Sequence, residues 1–215
     1  AQFSHSQQPS QEITPMMNYA AAVLLPFILI RLRRRSSSSP GPPLVSIFYG
    51  SGGHTTEMRI LLRHLPSHVS VQAFFGEDDK RSREIAALHK LNHALPRARR
   101  VKQSYATSIF TTLYSFVYTF ILVLSLQLSC PSALLLINGP GTSLVLAFSF
   151  KLCNLLLGTK TRVVMVESWC RVTGLSLTGK LVKPIADKFC VQWEELAKED
   201  EVLVKGVMFD EPMKR

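Results

Sequence analysis

The chain lacks several groups that mark common functional classes. Its 215 residues contain no Asp-x-Asp pair. Its four cysteines (Cys130, Cys153, Cys170 and Cys190) have no metal-ligand spacing. We therefore expect no metal site and no cofactor. Three of these cysteines have apolar neighbours, which predicts reduced thiols in a domain that faces the cytosol.

Acidic residues are scarce: 15 Asp and Glu stand against 25 Lys and Arg, and the formal net charge is +10. Such a balance suits a phosphorylated ligand, an anionic membrane surface or nucleic acid. Aromatic residues do not alternate with the basic ones in an RNA-binding pattern, so we expect no nucleic-acid partner. The basic run at 96–102 (PRARRVK) fits either a solvated loop or a patch that faces phosphates or lipid headgroups.

Charge is missing altogether from residues 103–150. Within this region, residues 109–126 are apolar enough to span a membrane, but six Ser and Thr side chains are spread through residues 108–125. Such a helix can also pack on an α/β domain. We predict a helix that packs on the domain and presses it against the bilayer, with a true span as the alternative.

The N-terminal region predicts a membrane anchor. Residues 1–15 contain no Lys or Arg, residues 16–30 are almost wholly apolar, and four arginines lie within 31–35. This charge asymmetry predicts a lumenal polar tail (1–15) and an anchor with a basic cytosolic flank (16–35). An interfacial helix and a signal peptide are the alternatives. A Ser/Pro linker (36–43) then precedes one domain (44–215).

A glycine-rich turn follows the first apolar run of that domain. Residues 44–49 have strand character, Gly50-Ser51-Gly52-Gly53 is the turn, and a helical pattern starts at Thr55. The turn lacks the third glycine of a dinucleotide fingerprint and the lysine of a P-loop. A helix start after such a turn favours an anion such as phosphate, but a tight turn without a ligand is equally compatible with the pattern.

Strand and helix patterns alternate along the domain. Strands are predicted at 69–75, 133–137, 162–166, 187–192 and 202–207, and helices at 81–92, 143–157 and 177–185. This alternation predicts an α/β fold with a Rossmann-like doubly wound parallel sheet. Three apolar strands end in GSGGHTT, NGPGT and ES, so we expect these loops to meet at one edge and form a ligand site.

Five segments carry a family resemblance: GSGGHTTEM, PRARRVKQSYATSIFTTLYS, NGPGTS, VESWCRVTGLSLTGKL and DKFCVQWEEL. They resemble the membrane-anchoring, acceptor-side subunit of the eukaryotic two-subunit UDP-N-acetylglucosamine transferase of dolichol-linked oligosaccharide synthesis. The resemblance implies the N-terminal half of an inverting GT-B glycosyltransferase, inactive alone. It also implies a cytosolic UDP-GlcNAc-binding catalytic subunit as partner, and GlcNAc-diphosphate-dolichol as the acceptor of a second GlcNAc. The implied location is the endoplasmic reticulum membrane, crossed once, with the domain on the cytosolic face.

Site residues follow from matching the family's motifs. The implied ligands of the acceptor diphosphate are Gly50, Ser51, Gly52, Gly53, Thr55, Asn138, Gly139, Gly141 and Thr142. His54 and Glu167 are the candidate catalytic bases. Structural alternatives stay open for both: His54 could bond the loop backbone, and Glu167 could cap a helix or pair with Arg171. The alternative function is a non-catalytic membrane scaffold that only recruits the catalytic partner, and the segment after Val202 is an expected part of the subunit interface.

Overall fold

The structure, a computed structural model, describes residues 42–99, 103–197 and 202–203. The predicted polar tail, the anchor and most of the linker lie outside these residues. The part of the chain that the structure describes therefore belongs almost entirely to the predicted 44–215 domain.

The core of the domain is a parallel sheet. Its strands are β1 (Leu44–Tyr49), β2 (Ser70–Gly76), β3 (Leu91–Leu95), β4 (Leu134–Asn138), β5 (Arg162–Val166), β6 (Lys188–Val191) and β7 (Val202–Leu203). They lie in the order β3-β2-β1-β4-β5-β6-β7, and every neighbouring pair is parallel. The order reverses between β1 and β4, as in a doubly wound fold. The predicted Rossmann-like doubly wound sheet is thus confirmed.

Helices cover both faces of this sheet. They are α1 (Gly53–Arg63), α2 (Lys80–Ala86), α3 (Tyr105–Ser129), α4 (Gly141–Leu157) and α5 (Leu177–Val182), followed by a 3₁₀ turn at Glu194–Leu196. One apolar cluster joins α1 and α2 to one face through Met58 and Ala86. The other cluster joins α3, α4 and α5 to the opposite face through Val123, Phe150 and Val182. Because the central strands are covered on both sides, they read as continuous apolar runs.

One predicted element is wrong. Residues 81–92 were expected to form a single helix, but α2 ends at Ala86 and Leu91 begins β3. β3 is an edge strand, and Leu91 stays 42% exposed. The segment therefore lacks the buried apolar run by which the central strands are recognised, and its leucines mimic helical spacing.

Helix α3 is two-sided. Ser115, Thr119 and Gln127 are fully buried, and Ser115 Oγ donates to the carbonyl of Pro96 at 2.7 Å. The opposite side exposes a stripe of seven large apolar residues: Ile109, Phe110, Leu113, Tyr114, Val117, Tyr118 and Ile121. Residues 107–129 are long and apolar enough to cross a membrane, with a mean hydropathy of 1.9, by length and composition only. The hydroxyl groups thus lie largely where α3 meets the domain.

Candidate active site

The three predicted loops meet at the carboxyl edge of the sheet. The loops after β1 and β4 flank the position where the strand order reverses, and the loop after β5 lies beside them. Ligands of open parallel sheets bind in this crevice. The convergence that the sequence predicted is therefore present.

Glycine sets the conformation of the first loop, and hydrogen bonds to neighbouring side chains hold the loop in place. Gly52 has a φ of 65°, a conformation that favours glycine, and it directly precedes α1. Thr55 is buried, and its hydroxyl donates to the carbonyl of Gly50 and bonds Ser82 Oγ at 2.8 Å. Ser82 Oγ also lies 2.9 Å from the Gly50 carbonyl oxygen. Helix α2 therefore holds the turn in place.

His54 lies against the second loop. Gly139 has a φ of 62°, and a Cβ added there would stand 2.6 Å from Nδ1 and 2.8 Å from Nε2 of His54. No side chain larger than hydrogen fits in that position without displacing the imidazole. Gly139 is thus required both by its backbone conformation and by the ring that packs on it.

Glu57, one turn after His54, connects all three loops. Its Oε2 accepts from His54 Nδ1 at 3.2 Å and from Asn138 Nδ2 at 3.1 Å. Its Oε1 accepts from Ser168 Oγ at 2.7 Å and from the backbone N–H of Trp169 at 3.2 Å. Burial by itself raises the pKa of Glu57, but hydrogen bonds from His54, Ser168 and Asn138 outweigh it, so the pKa lies below its usual value. Glu57 is therefore a carboxylate at neutral pH.

Glu167 has a different environment. It is fully buried, and its carboxylate accepts from the backbone N–H of Ser168 at 3.0 Å and from Ser176 N and Oγ at 3.0 and 3.1 Å. Ser176 is the residue that caps α5. The carboxylate also fills the space where Gly179 lacks a side chain. These contacts fasten the loop after β5 to the start of α5.

A pair of tryptophans closes the far side of the same loop. The rings of Trp169 and Trp193 lie 4.2 Å apart between centroids, and Trp193 Nε1 donates to the carbonyl of Trp169 at 2.8 Å. Since Trp169 N–H bonds Glu57, the pair is connected to His54 through one carboxylate. These are the two tryptophans of the chain.

Two cavities open on this edge, with Ser51 in the wall of each. The first, about 420 Å³, is lined by Gly50, Gly141, Thr142 and two arginines, Arg97 and Arg99. The second, about 430 Å³, is lined by Gly53, His54, Glu57, Gly139 and Glu167. We call them the arginine cavity and the histidine cavity.

The arginine cavity has the chemistry of an anion site. Within the described residues, the carboxylate paired with Arg97 is that of Asp78, whose Oδ2 lies 3.8 Å from Nε, beyond hydrogen-bond distance. Asp79, the acidic side chain among the described lining residues, already accepts from the backbone N–H of Ser82 at the start of α2. The cavity also contains the N-terminal residues of α4, where unpaired N–H groups favour negative charge.

The predicted site residues divide into two groups. Gly50, Ser51, Gly53, His54, Gly139, Gly141, Thr142 and Glu167 line the cavities, whereas Gly52 is not among the described lining residues and shapes the turn before α1. Thr55 and Asn138 instead connect loops within the protein, since Asn138 Nδ2 donates to the His54 carbonyl at 2.8 Å and to Glu57. Sequence reasoning missed Glu57 and Arg97. The spacing of Glu57 three residues after His54, on one helix face, was the available signal. Among the described residues, no three His, Cys, Asp or Glu side chains are grouped so that they could hold a metal ion.

Comparison with known proteins settles the family. A family model described as "Oligosaccharide biosynthesis protein Alg14 like" matches residues 45–207. The chain belongs to the Alg14 family. Two relatives named "UDP-N-acetylglucosamine transferase subunit ALG14" illustrate the similarity. The protein of Cryptococcus neoformans is 34% identical over 210 residues, covering 87% of this chain and 91% of that protein. The mouse protein is 38% identical over 170 residues, covering 71% and 76%.

The fold is also found in a solved structure. MurG of Acinetobacter baumannii matches with a TM-score of 0.56 and 14% identity, covering 76% of this chain but 44% of that chain. At this identity the likeness shows the fold alone. This Alg14-family chain therefore has a Rossmann-like domain similar to less than half of MurG.

Proposed function

We propose that this chain is the acceptor-binding, membrane-attached subunit of a UDP-GlcNAc transferase. It binds GlcNAc-diphosphate-dolichol at the cytosolic face of the endoplasmic reticulum, and a separate cytosolic subunit supplies the UDP-GlcNAc site. The complex adds the second GlcNAc with inversion, and neither subunit is active alone. The observation that carries the proposal is the meeting of His54, the two glycine loops and an arginine-lined cavity on one Rossmann-like domain.

The arginine cavity is the proposed diphosphate site. Arg97 and the start of α4 supply positive charge, and Gly141, which has open space where a Cβ would lie, allows a phosphate to approach the backbone closely. Ser51 also borders the histidine cavity. An acceptor whose diphosphate lies in the first cavity can therefore reach across Ser51 with its sugar and present a hydroxyl to His54.

His54 is the proposed general base. Its Nδ1 bonds Glu57, so its Nε2 is the nitrogen that accepts the proton of the sugar hydroxyl as that oxygen attacks the anomeric carbon of UDP-GlcNAc. The bond between that carbon and the phosphate oxygen of the donor breaks, and UDP leaves. Glu167 is engaged by three donors inside the fold, and its proposed part is to hold the loop after β5. The product proton stays on His54 until it exchanges with solvent.

The apolar stripe of α3 is the proposed contact with the bilayer. The stripe is exposed along three turns of the helix. Two hydrogen bonds join α3 to the chain beside the cavity: Thr111 and Thr112 each donate to the carbonyl of Ala98 at 2.9 Å, between Arg97 and Arg99. A lipid whose diphosphate binds Arg97 would therefore have its isoprenoid chain close to α3 and to the bilayer that the stripe contacts.

Binding of the acceptor without the partner tests this function. The full chain in nanodiscs is titrated with a short-chain GlcNAc-diphosphate lipid, as wild type, Arg97→Met and the matched control Arg81→Met on the exposed surface of α2. A charged hydrogen bond contributes about 1.5–3 kcal/mol, so Arg97→Met is expected to raise Kd about 10-fold or more. Arg81→Met should match wild type. Acceptor binding only in the presence of the partner, or equal Kd values for all three proteins, would favour the recruiting scaffold.

A further inference from the structure

One carboxylate in the site has no part yet in the proposed reaction. Glu57 stands 12% exposed in its side chain, at the wall of the histidine cavity, and its hydrogen-bond partners in the described part of the chain include no Lys or Arg. All four groups that it bonds belong to the three loops of the site or to helix α1. A buried carboxylate is costly unless its lone pairs are used, so this arrangement calls for an explanation.

The contact with His54 has a directional consequence. An ionised carboxylate can only accept hydrogen bonds, so the nitrogen that faces it must carry a proton. In His54 that nitrogen is Nδ1, at 3.2 Å from Oε2. The neutral ring then has its lone pair on Nε2, which is the form that a base needs in order to remove a hydroxyl proton. The contact also limits rotation of the ring over Gly139.

The other three contacts tie the remaining loops to the same carboxylate. Asn138 Nδ2 cannot be exchanged with its oxygen, because it faces two acceptors, the His54 carbonyl and Glu57 Oε2. Trp169 N–H is a fixed backbone donor, and Ser168 Oγ completes the set. Thus the ends of β4 and β5 are held at the first turn of α1.

We propose that Glu57 is the positioning residue of this site, which fixes the His54 ring with its proton on Nδ1 and holds the loops after β4 and β5 around it. The inference rests on the proposed function, because it assigns His54 the part of the base. It adds a residue that acts through His54 without touching the substrate.

Glu57→Gln is the most specific substitution with which to test this proposal. The amide keeps the shape of the carboxylate but has an amino group on one end. That group must face either Trp169 N–H or Asn138 Nδ2, both of which are donors, so one contact is lost in either orientation. When it faces His54, it donates to Nδ1 and stabilises the tautomer with the proton on Nε2. Glu84→Gln, on the exposed surface of α2, is the matched control.

A double-mutant cycle in the full complex tests the proposal. The full chain is co-purified with its soluble partner as wild type, Glu57→Gln, His54→Ala, the double variant and Glu84→Gln, and GlcNAc transfer is measured. Glu57→Gln is expected to lower kcat about 10- to 100-fold, as loss of a residue that orients a functional histidine does, with a smaller change in KM. In the His54→Ala background the same change should cost less than about 2-fold, because its effect passes through the imidazole. Glu84→Gln should equal wild type.

Two spectroscopic readouts separate positioning from a merely structural part. The ¹⁵N shifts of the His54 ring should report a proton on Nδ1 in wild type and a shift toward Nε2–H in Glu57→Gln. Tryptophan emission of the full chain purified without its partner, whose two tryptophans are Trp169 and Trp193, should move to longer wavelength when the loop after β5 loosens. If Glu57→Gln does not fold, Ser168→Ala takes its place: it should change the emission and leave the His54 tautomer as in wild type.

The outcomes are distinguishable. The inference is overturned if Glu57→Gln has the kcat of wild type, if the effects of the two substitutions multiply fully in the double variant, or if the His54 tautomer is unchanged in Glu57→Gln. If Ser168→Ala is the variant used, wild-type emission or a changed tautomer overturns it. Wild-type transfer by His54→Ala overturns the proposed base instead, and the inference with it. Loss of transfer in His54→Ala with normal transfer in Glu57→Gln overturns the inference alone.

Discussion

Gly139→Ala tests how closely the second glycine loop and His54 are matched. The new methyl group would stand 2.6 Å from Nδ1 and 2.8 Å from Nε2 of His54, whereas ordinary contact needs about 3.5 Å. It would overlap Cε1 of the ring more closely still, so the ring must move by more than about 1 Å or turn away. A displacement of that size at a reacting group costs about 100-fold in rate.

The same substitution also strains the backbone, and Gly158 provides the control for that strain. Gly158 ends α4 with a φ of 63°, nearly the 62° of Gly139, and nothing lies within 4 Å of an added Cβ. Alanine at a left-handed position costs about 1–2 kcal/mol at either site. Both variants should thus lose about 2–8 °C in Tm, at about 2–4 °C per kcal/mol for a domain of this size.

The assay compares transfer by the two variants in complex with the partner, at a temperature well below both Tm values. Gly139→Ala should lose about 100-fold in kcat, because the imidazole is displaced. Gly158→Ala should stay within about 2-fold of wild type, because its strain is far from the site. Equal activity of the two variants would refute the argument that Gly139 is needed for the position of His54.

Three further predictions follow from other contacts. Replacing glycine by alanine usually stabilises a helix by about 0.5–1 kcal/mol. Gly179→Ala should instead destabilise the domain in urea unfolding, because the Glu167 carboxylate and Ser176 Oγ occupy the space of the new methyl group. A raised urea midpoint would contradict this. Burial by itself raises the pKa of Asp187, but hydrogen bonds from Lys151 and the Val163 N–H outweigh it, so the pKa is lowered. The stability that wild type has over Asp187→Asn should therefore be full above about pH 4 and should fall as the pH drops further through the folded-state pKa. A constant difference in stability from pH 7 to pH 2 would contradict this. A spin label at Phe110, which is 77% exposed on α3, should be more accessible to oxygen than to a polar nickel complex in nanodiscs. A label at the exposed Lys90 should show the opposite order. If the label at Phe110 is more accessible to the nickel complex, the α3 stripe does not contact the bilayer.

Much of the fold could be predicted because the central strands are chemically distinct. β1, β4 and β5 are buried between two helix layers, so apolar residues dominate them, with Ser46 as a buried polar residue inside β1, and each ends in a small or polar cluster. The meeting of those clusters follows from parallel order alone. β3 could not be recognised, since an edge strand with exposed residues has neither a buried run nor a regular alternation.

The site was only partly predictable for a related reason. Glycines at a strand end indicate a turn, and a histidine beside them indicates chemistry, so Gly139 and His54 could be named. The contact between Glu57 and Trp169 joins residues 112 positions apart, and nothing local to either residue indicates it. Likewise Arg97 belongs to a basic run that could equally have been a solvated loop, until the fold brought it beside Thr142 and Gly50.

Transfer by the reconstituted complex tests the central claim, that this chain supplies both the acceptor site and the base. The full chain and its soluble partner are co-expressed, and GlcNAc transfer to a short-chain GlcNAc-diphosphate lipid is compared for wild type, His54→Ala and His68→Ala, an exposed histidine outside the site. Capture of the partner is measured in the same samples. His54→Ala is expected to lose about 100-fold or more in kcat, as expected for removal of a general base, while it binds the partner normally and His68→Ala stays active. Normal transfer by His54→Ala would contradict the account and leave the chain as a membrane scaffold for its partner.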